Sequence, residues 1–279
     1  MIPTVDFFGT QVSRLFLGDN PVNGHSYIPE IHSGSEMMDY FTAEKVVKSL
    51  FEAEKLGYTT LLPLANGFMT RVLRQYRNEG GKMNWIFQPF PAIPVEVNAR
   101  QMMACDLLAT YHQGTTTDGL VEAGKIDVLR DNIQKLKACG KPVGLGTHVP
   151  ETILRSEEED WGVDFYMACL HNSRKRGGEP SSFITGKVKH MKFFMEDRPL
   201  MLEVIQQVQK PCIAFKILAG GQMFYDKTPA EIPGVIEDAF RETFSNIKPN
   251  DLACVGFFQR DNDQLAENAE IAKRVLAEG

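Results

Sequence analysis

The chain has 279 residues, 43% of them hydrophobic and 24% charged, with a net charge of −6. That is enough for a large core, and the acidic balance, whose densest basic run is only Arg174-Lys175-Arg176, argues against nucleic acid as a partner. No apolar run approaches membrane-spanning length, and the N-terminus lacks the basic and apolar regions of a signal peptide, so no membrane partner and a cytoplasmic location are expected.

Arg14 to Asn20 reads as a first strand with Asp19 and Asn20 at its exit. A long loop follows at 21–40, rich in Gly, Pro and Ser, carrying Asn23, His25 and His32; loops of that length are often functional. His25 and His32 read as solvated loop residues. Thr42 caps a helix from Ala43 to Leu56, where Val46, Val47, Leu50 and Ala53 recur at helical spacing, and Gly57 ends it. Thr59 to Ala65 is a second strand, with Asn66 at its exit, followed by a helix from Met69 to Asn78. Lys82 to Gln88 is a third strand, closed by the proline-rich Pro89 to Pro94. A helix is expected from Val95 to Tyr111, then a weaker fourth strand from Thr117 to Glu122 and a helix from Ile126 to Cys139.

Pro142 to Thr147 is a fifth strand, ending at His148 and closed by Pro150; a helix from Glu151 to Glu159 follows. Val163 to Leu170 is the sixth, ending at His171 and Asn172. A second long rim loop, basic and glycine-rich, occupies 173–186, and Lys187 to Val208 reads as mostly helical. Pro211 to Leu218 is the seventh strand, followed by Ala219-Gly-Gly-Gln222. A helix from Pro229 to Phe244, an eighth strand from Leu252 to Phe258 and a helix from Asp263 to Ala277 complete the chain.

Eight strand–loop–helix units with buried-type strands point to parallel strands covered by helices. The expected fold is α/β, a single-domain (β/α)8 TIM barrel over residues 1–279. An open doubly wound sheet is the alternative, but no glycine-rich phosphate fingerprint follows the first strand. The five cysteines are scattered without CxxC spacing, three of them inside expected strands, and read as buried reduced thiols.

Each expected strand leaves a polar residue where a barrel builds its active site: Asp19, Asn20, Asn66, Gln88, Glu122, His148, His171, Asn172, Lys216 and Arg260. Individually each could equally cap a helix or satisfy backbone. His148 and His171 follow adjacent strands and suit acid/base work near neutral pH. With Asp19, or with Glu122, they could instead hold a divalent metal, although their spacing matches no short metal motif. Lys216 is the one charge in its apolar run. It could be a Schiff-base nucleophile, a proton carrier or a cation for a substrate anion, or could simply pair with Glu122 or Asp19. Arg260 would strengthen an anion site.

The last quarter of the chain resembles the aldo-keto reductase superfamily. Ile213-Ala-Phe-Lys-Ile-Leu-Ala-Gly-Gly221 is similar to that family's strand-seven segment, and Gln259-Arg-Asp-Asn-Asp-Gln-Leu-Ala-Glu-Asn268 to its strand-eight segment. The resemblance implies a TIM barrel and NADP(H), with Arg260, Gln264 and Asn268 at the adenosine end and Glu267 beside them. It does not extend to the family's catalytic tetrad. Strand two exits through Leu64-Ala-Asn-Gly67 without the Asp and Tyr, strand three through Gln88-Pro89 without Lys, and Glu122 stands where a histidine is needed. Asp164-Phe-Tyr-Met-Ala-Cys-Leu-His171 is similar to the family's histidine strand but comes two strands later.

The leading expectation is an enzyme acting on a small polar or anionic, carbonyl- or sugar-like metabolite through His148, His171, Lys216 and Glu122, with or without a divalent metal. Asp19, Asn20, Asn66, Gln88, Asn172 and Arg260 would contact the substrate. Two alternatives stand beside it: an NADP(H) oxidoreductase with a changed proton donor, and a non-catalytic metabolite-binding barrel. Assembly into a homo-oligomer is left open.

Overall fold

A computed structural model gives the architecture, and it describes residues 1–172 and 193–278. Among these, eight strands close into a barrel in which every neighbouring pair is parallel. The fold is the expected (β/α)8 barrel. The rim-loop segment from Ser173 to Thr185, with Arg174, Lys175 and Arg176, and the start of the expected helix at Lys187 lie outside the described residues.

The chain opens with a hairpin that the sequence reading does not contain. β1 (Thr4–Phe7) pairs antiparallel with β2 (Thr10–Ser13) across a two-residue turn, Phe8 and Gly9, both with positive φ. Phe7 and Val12 are buried and join the barrel's interior cluster, and the Phe7 ring meets Phe165, the first residue of its strand, at 5.3 Å. The hairpin therefore plugs the barrel at the N-terminal end of its strands. Its strands are short and carry Thr, Asp and Gln between apolar residues, a pattern easily passed over as a loop.

The barrel strands are β3 (Leu15–Gly18), β4 (Thr60–Leu62), β5 (Asn84–Phe87), β6 (Ala109–His112), β7 (Val143–Thr147), β8 (Phe165–Cys169), β9 (Cys212–Phe215) and β10 (Leu252–Gly256). Their interior is filled by Phe16, Leu62, Ile86, Ala109, Tyr111, Phe165, Met167, Ile213, Leu252 and Cys254. Phe165 occupies the space that a side chain at Gly144 would need, since a Cβ there would stand 2.5 Å from its ring.

Helices cover the outside. α1 (Gly34–Tyr40) lies inside the stretch read as a loop and starts at a capping box formed by Ser33 and Glu36. α2 (Ala43–Leu56) has the expected bounds, with Thr42 and Gly57 capping it. α3 (Gly67–Asn78) is followed by α4 (Val95–Met103), α5 (Gly114–Glu122), α6 (Ile126–Lys137) and α7 (Pro150–Glu158). α8 (Asp197–Gln207), α9 (Ile232–Ser245) and α10 (Gln264–Ala277) complete the set among the described residues. None of these helices is long and apolar enough to cross a membrane.

One register error in the sequence reading matters for the site. The fourth barrel strand is β6 at Ala109–His112, inside the expected helix from Val95 to Tyr111. The expected strand at Thr117 to Glu122 is instead the end of helix α5. α4 stops early because the chain turns through Asp106 at φ 55, and Thr110 and Tyr111 suit a strand. Gln113 then caps the new helix by accepting from the Thr116 N–H at 2.9 Å.

Candidate active site

The chemistry gathers at the C-terminal ends of β7, β8 and β9, on the rim where barrel active sites lie. His148 follows β7 and is 7% exposed. Its Nδ1 meets Asp118 Oδ2 at 2.7 Å, and its Nε2 meets Lys216 Nζ at 2.9 Å. Asp118 also accepts from the His148 backbone N–H and from Thr147 Oγ1. Three contacts thus lock helix α5 to the end of β7. They are close because Gly146 faces α5: a Cβ there would stand 3.0 Å from Gly114 N and His112 O.

With Nδ1–H donated to the carboxylate, Nε2 is left as an acceptor for the Lys216 ammonium. Burial and the Lys216 charge push the imidazole down, but Cys169 and Asp118 push it up further, so its pKa lies above the ordinary histidine value. Cys169, fully buried at the end of β8, donates to the His171 carbonyl at 3.0 Å. Burial alone would raise its thiol. His148 and Lys216 outweigh that and bring it below the usual thiol range.

Lys216 leaves β9 in the left-handed region, at φ 55. For a residue with a Cβ that conformation costs roughly 1–3 kcal/mol and persists only where the surroundings hold it. Here His171 Nδ1 lies 2.7 Å from the Lys216 carbonyl, and the buried Arg198 donates to the Ile217 carbonyl at 3.0 Å. The turn carries Nζ over the mouth, 5.0 Å from the ring centroids of Tyr27 and Phe193. Tyr27 belongs to the expected rim loop at 21–40. Gly220 lets it approach, since a Cβ at that position would stand 2.5 Å from the tyrosine ring.

His171 is fully buried, and its other nitrogen, Nε2, lies 3.0 Å from Met195 Sδ. Burial, with Arg198 and Lys216 nearby, pulls its pKa to about 4, so it is a neutral anchor for the Lys216 backbone. The other rim residues fall into two groups. Asp19, raised by burial to about 6, accepts from the Leu64 N–H at 2.6 Å and from Asn23 at 2.7 Å, and Asn66 donates to Asn23. Asn20 donates to Tyr27 Oη at 2.8 Å, and Gln88 accepts from the buried Tyr111 hydroxyl at 2.9 Å. These tie the exit of β3 to that of β4 and the exit of β5 to β6. Asn66 also caps α3, and Asn172 donates to Asp197 beside α8.

Glu122 is the last residue of α5 and exposed, not a strand-exit residue. The carboxylate that serves His148 is Asp118, one helical turn earlier. Reading 117–122 as a strand hid it. The true strand-four exit is a histidine, His112, but its ring turns outward. Its nitrogens contact Thr117 at 2.8 Å and Asn132 at 3.3 Å, and burial holds its pKa at about 4.

The donors for a metal do not converge. Both ring nitrogens of His148 are engaged within the protein, His171 commits Nδ1 to the Lys216 carbonyl with Met195 Sδ packed against Nε2, and Asp19 serves the β3–β4 network. Among the described residues no set of three His, Cys, Asp or Glu side chains could hold a metal ion.

The residues matched to an NADP(H) site do not present a ready set of donors either. Arg260 pairs with Asp261 and Glu36, and Gln264 accepts from the Phe258 N–H at 2.8 Å. Asn268 is 4% exposed with its Oδ1 unpartnered among the described residues.

No family model and no curated protein matches this chain. Solved structures do. An aldo-keto reductase from Klebsiella pneumoniae in complex with NADPH superposes with a TM-score of 0.56 at 14% identity, over 97% of this chain and 90% of that one. A truncated 3-deoxy-D-arabino-heptulosonate 7-phosphate synthase from Thermotoga maritima gives 0.56 at 13%, over 99% and 90%. The N-acetylmannosamine-6-phosphate 2-epimerase from Clostridium perfringens gives 0.50 at 13%, over 95% and 93%. At these identities the likeness shows the fold alone. The aldo-keto reductase is one barrel neighbour among several.

Proposed function

We propose that this barrel is an enzyme that moves a proton on a small polar or anionic, carbonyl- or sugar-like metabolite. The observation that carries the reading is the Asp118–His148–Lys216 chain, with contacts of 2.7 and 2.9 Å, on the catalytic rim. Asp118 holds the imidazole in one tautomer and stabilises it when charged. Nε2 takes a proton from carbon or oxygen next to a carbonyl. Lys216 polarises the carbonyl oxygen and returns a proton to it. The reading draws support from barrels of the same fold that are named as an epimerase and a synthase of sugar-type compounds. A relay of this kind suits lyase or isomerase chemistry better than passive binding, which requires no oriented base.

The test is exchange of substrate carbon-bound hydrogen in D2O, followed by NMR over a panel of hydroxyaldehydes, hydroxyketones and sugar phosphates. Wild type should exchange at least one member. His148→Ala and Lys216→Met should each lose it by about 100-fold or more while remaining folded, the first melting lower by at least the roughly 3–12 °C that the lost buried charge-assisted hydrogen bond is worth. No exchange with any member, or equal exchange in His148→Ala, overturns the reading.

A further inference from the structure

Lys216 carries two features that polarising a carbonyl does not by itself require. Its backbone is held in the left-handed region at φ 55, with His171 at its own carbonyl and Arg198 at the next. Strain of this kind collects at sites where one side chain must stand in one place. Its side chain is half-buried at the mouth, and Nζ lies 2.9 Å from His148 Nε2, a base with the Asp118 carboxylate behind it. A base in contact with an amine is the arrangement that turns the amine into a nucleophile. Around the same nitrogen stand the rings of Tyr27 and Phe193 at 5.0 Å and of Phe215 at 5.7 Å. Their faces favour a positive nitrogen, whether it is an ammonium or an iminium.

We infer that Lys216 bonds to the substrate, forming a Schiff base with the carbonyl carbon of a small hydroxyaldehyde or hydroxyketone. The inference rests on the acid–base reading of His148 and Lys216 and extends Lys216 from polarising the carbonyl to bonding its carbon. The ammonium passes a proton to His148 Nε2, leaving an imidazolium held by Asp118. The neutral amine forms a C–N bond as the carbonyl π bond breaks onto oxygen. That oxygen takes two protons in turn from the imidazolium, which His148 has drawn from the lysine nitrogen. It leaves as water while the nitrogen lone pair closes the C=N bond. An ammonium and a carbonyl thus give an iminium and one water, with no oxidant or reductant. His148 Nε2, neutral again and beside the new bond, takes the proton from the neighbouring carbon. The electron pair left behind flows to the iminium nitrogen and gives an enamine.

Two measurements on the full chain test it. The first is trapping with glycolaldehyde and with dihydroxyacetone in the presence of sodium cyanoborohydride at pH 7, each lysine being followed by peptide mass spectrometry. Lys216 should be converted to a secondary amine faster than any other lysine, the exposed Lys48 included. His148→Gln should slow that conversion by about 100-fold and leave Lys48 unchanged. Conversion of Lys216 no faster than of Lys48 with both probes, or unaffected by His148→Gln, overturns the inference. The second is hydrogen exchange in Lys216→Arg, which keeps a cation able to polarise a carbonyl but cannot form the imine. It should be as inactive as Lys216→Met. Exchange lost in His148→Ala but kept within about tenfold of wild type in Lys216→Arg overturns the covalent step and leaves the acid–base reading standing. Exchange intact in His148→Ala overturns the acid–base reading, and this step with it.

Discussion

Asp118→Asn removes one proton acceptor and one charge while keeping size. The carboxylate now accepts from His148 Nδ1, from the His148 N–H and from Thr147. An asparagine oxygen can keep a backbone contact, but its NH2 group then faces Nδ1 and can only donate. The imidazole should switch tautomer, placing a hydrogen on Nε2, where the Lys216 ammonium also donates. Losing a buried charge-assisted hydrogen bond costs roughly 1.5–3 kcal/mol, which at roughly 2–4 °C per kcal/mol lowers the melting temperature by roughly 3–12 °C. Exchange should fall by about 100-fold or more. The pH dependence has a definite sign. The pKa of His148 is raised in the folded state, with Asp118 among the groups that raise it. That contribution to stability is fully present below the unfolded value of about 6.5 and is lost as pH rises through the folded value. The gap between wild type and Asp118→Asn should therefore be wider at pH 6 than at pH 9, read from urea midpoints. Nitrogen NMR of His148 reports the tautomer directly. Retention of the Nδ1–H tautomer with wild-type exchange, or a gap that widens with pH, would refute the reasoning.

Asp19 carries a pKa raised to about 6 by burial, so ionising it in the fold opposes stability as pH rises from about 4 to 6. Asp19→Asn should remove that loss, so wild type should gain on the variant by about 2 kcal/mol between pH 7.5 and 4.5 in urea midpoints. His112 and His171, both held near 4 by burial, take up protons on unfolding as pH falls from about 6.5 to 4. Neither ring should titrate above pH 5 by NMR, and His112→Gln should flatten the acid loss by at most about 3 kcal/mol. A midpoint near 6.5 for either ring would contradict the burial argument. Gly146→Ala should cost about 1–3 kcal/mol and weaken the Asp118–His148 contact, because its Cβ would stand 3.0 Å from the backbone of α5 and β6. A stable variant with unchanged His148 NMR signals would show that α5 moves aside without cost.

The barrel was legible because buried parallel strands are apolar runs punctuated by Gly and Pro, and β3, β7, β8, β9 and β10 all have that form. β6 was not, because Leu107 to His112 follows α4 without a Gly or Pro break. The turn between them rests on Asp106 in a conformation that sequence does not announce. That one slip moved the acid partner from Asp118 to Glu122. His148 and Lys216 were legible as polar residues ending apolar runs. The place of Cys169 beside them was not, because it depends on how β7 and β9 pair with β8. Asp19, Asn66 and Gln88 were legible as rim residues, and their hydrogen bonds show them joining strand exits.

The roles of the two rim histidines separate on one physical ground, which is where their nitrogens point. His148 gives one nitrogen to a carboxylate, which lets it be charged although Lys216 faces the other. His171 spends its Nδ1 on the Lys216 carbonyl and sits in a buried, cation-flanked place that keeps it neutral. Its work is then to hold the left-handed turn at φ 55. Removing it in His171→Ala leaves that carbonyl without the imidazole donor, and the turn can relax toward ordinary backbone. Lys216 Nζ would withdraw from His148. Because the Lys216 charge lowers the His148 pKa, its withdrawal should raise the His148 midpoint in an NMR titration, in the same direction as Lys216→Met. A packing role for His171 would lower stability without moving that midpoint. An unchanged midpoint in His171→Ala, with Lys216→Met raising it, would show that Arg198 at the Ile217 carbonyl suffices to hold the turn and that His171 only fills space.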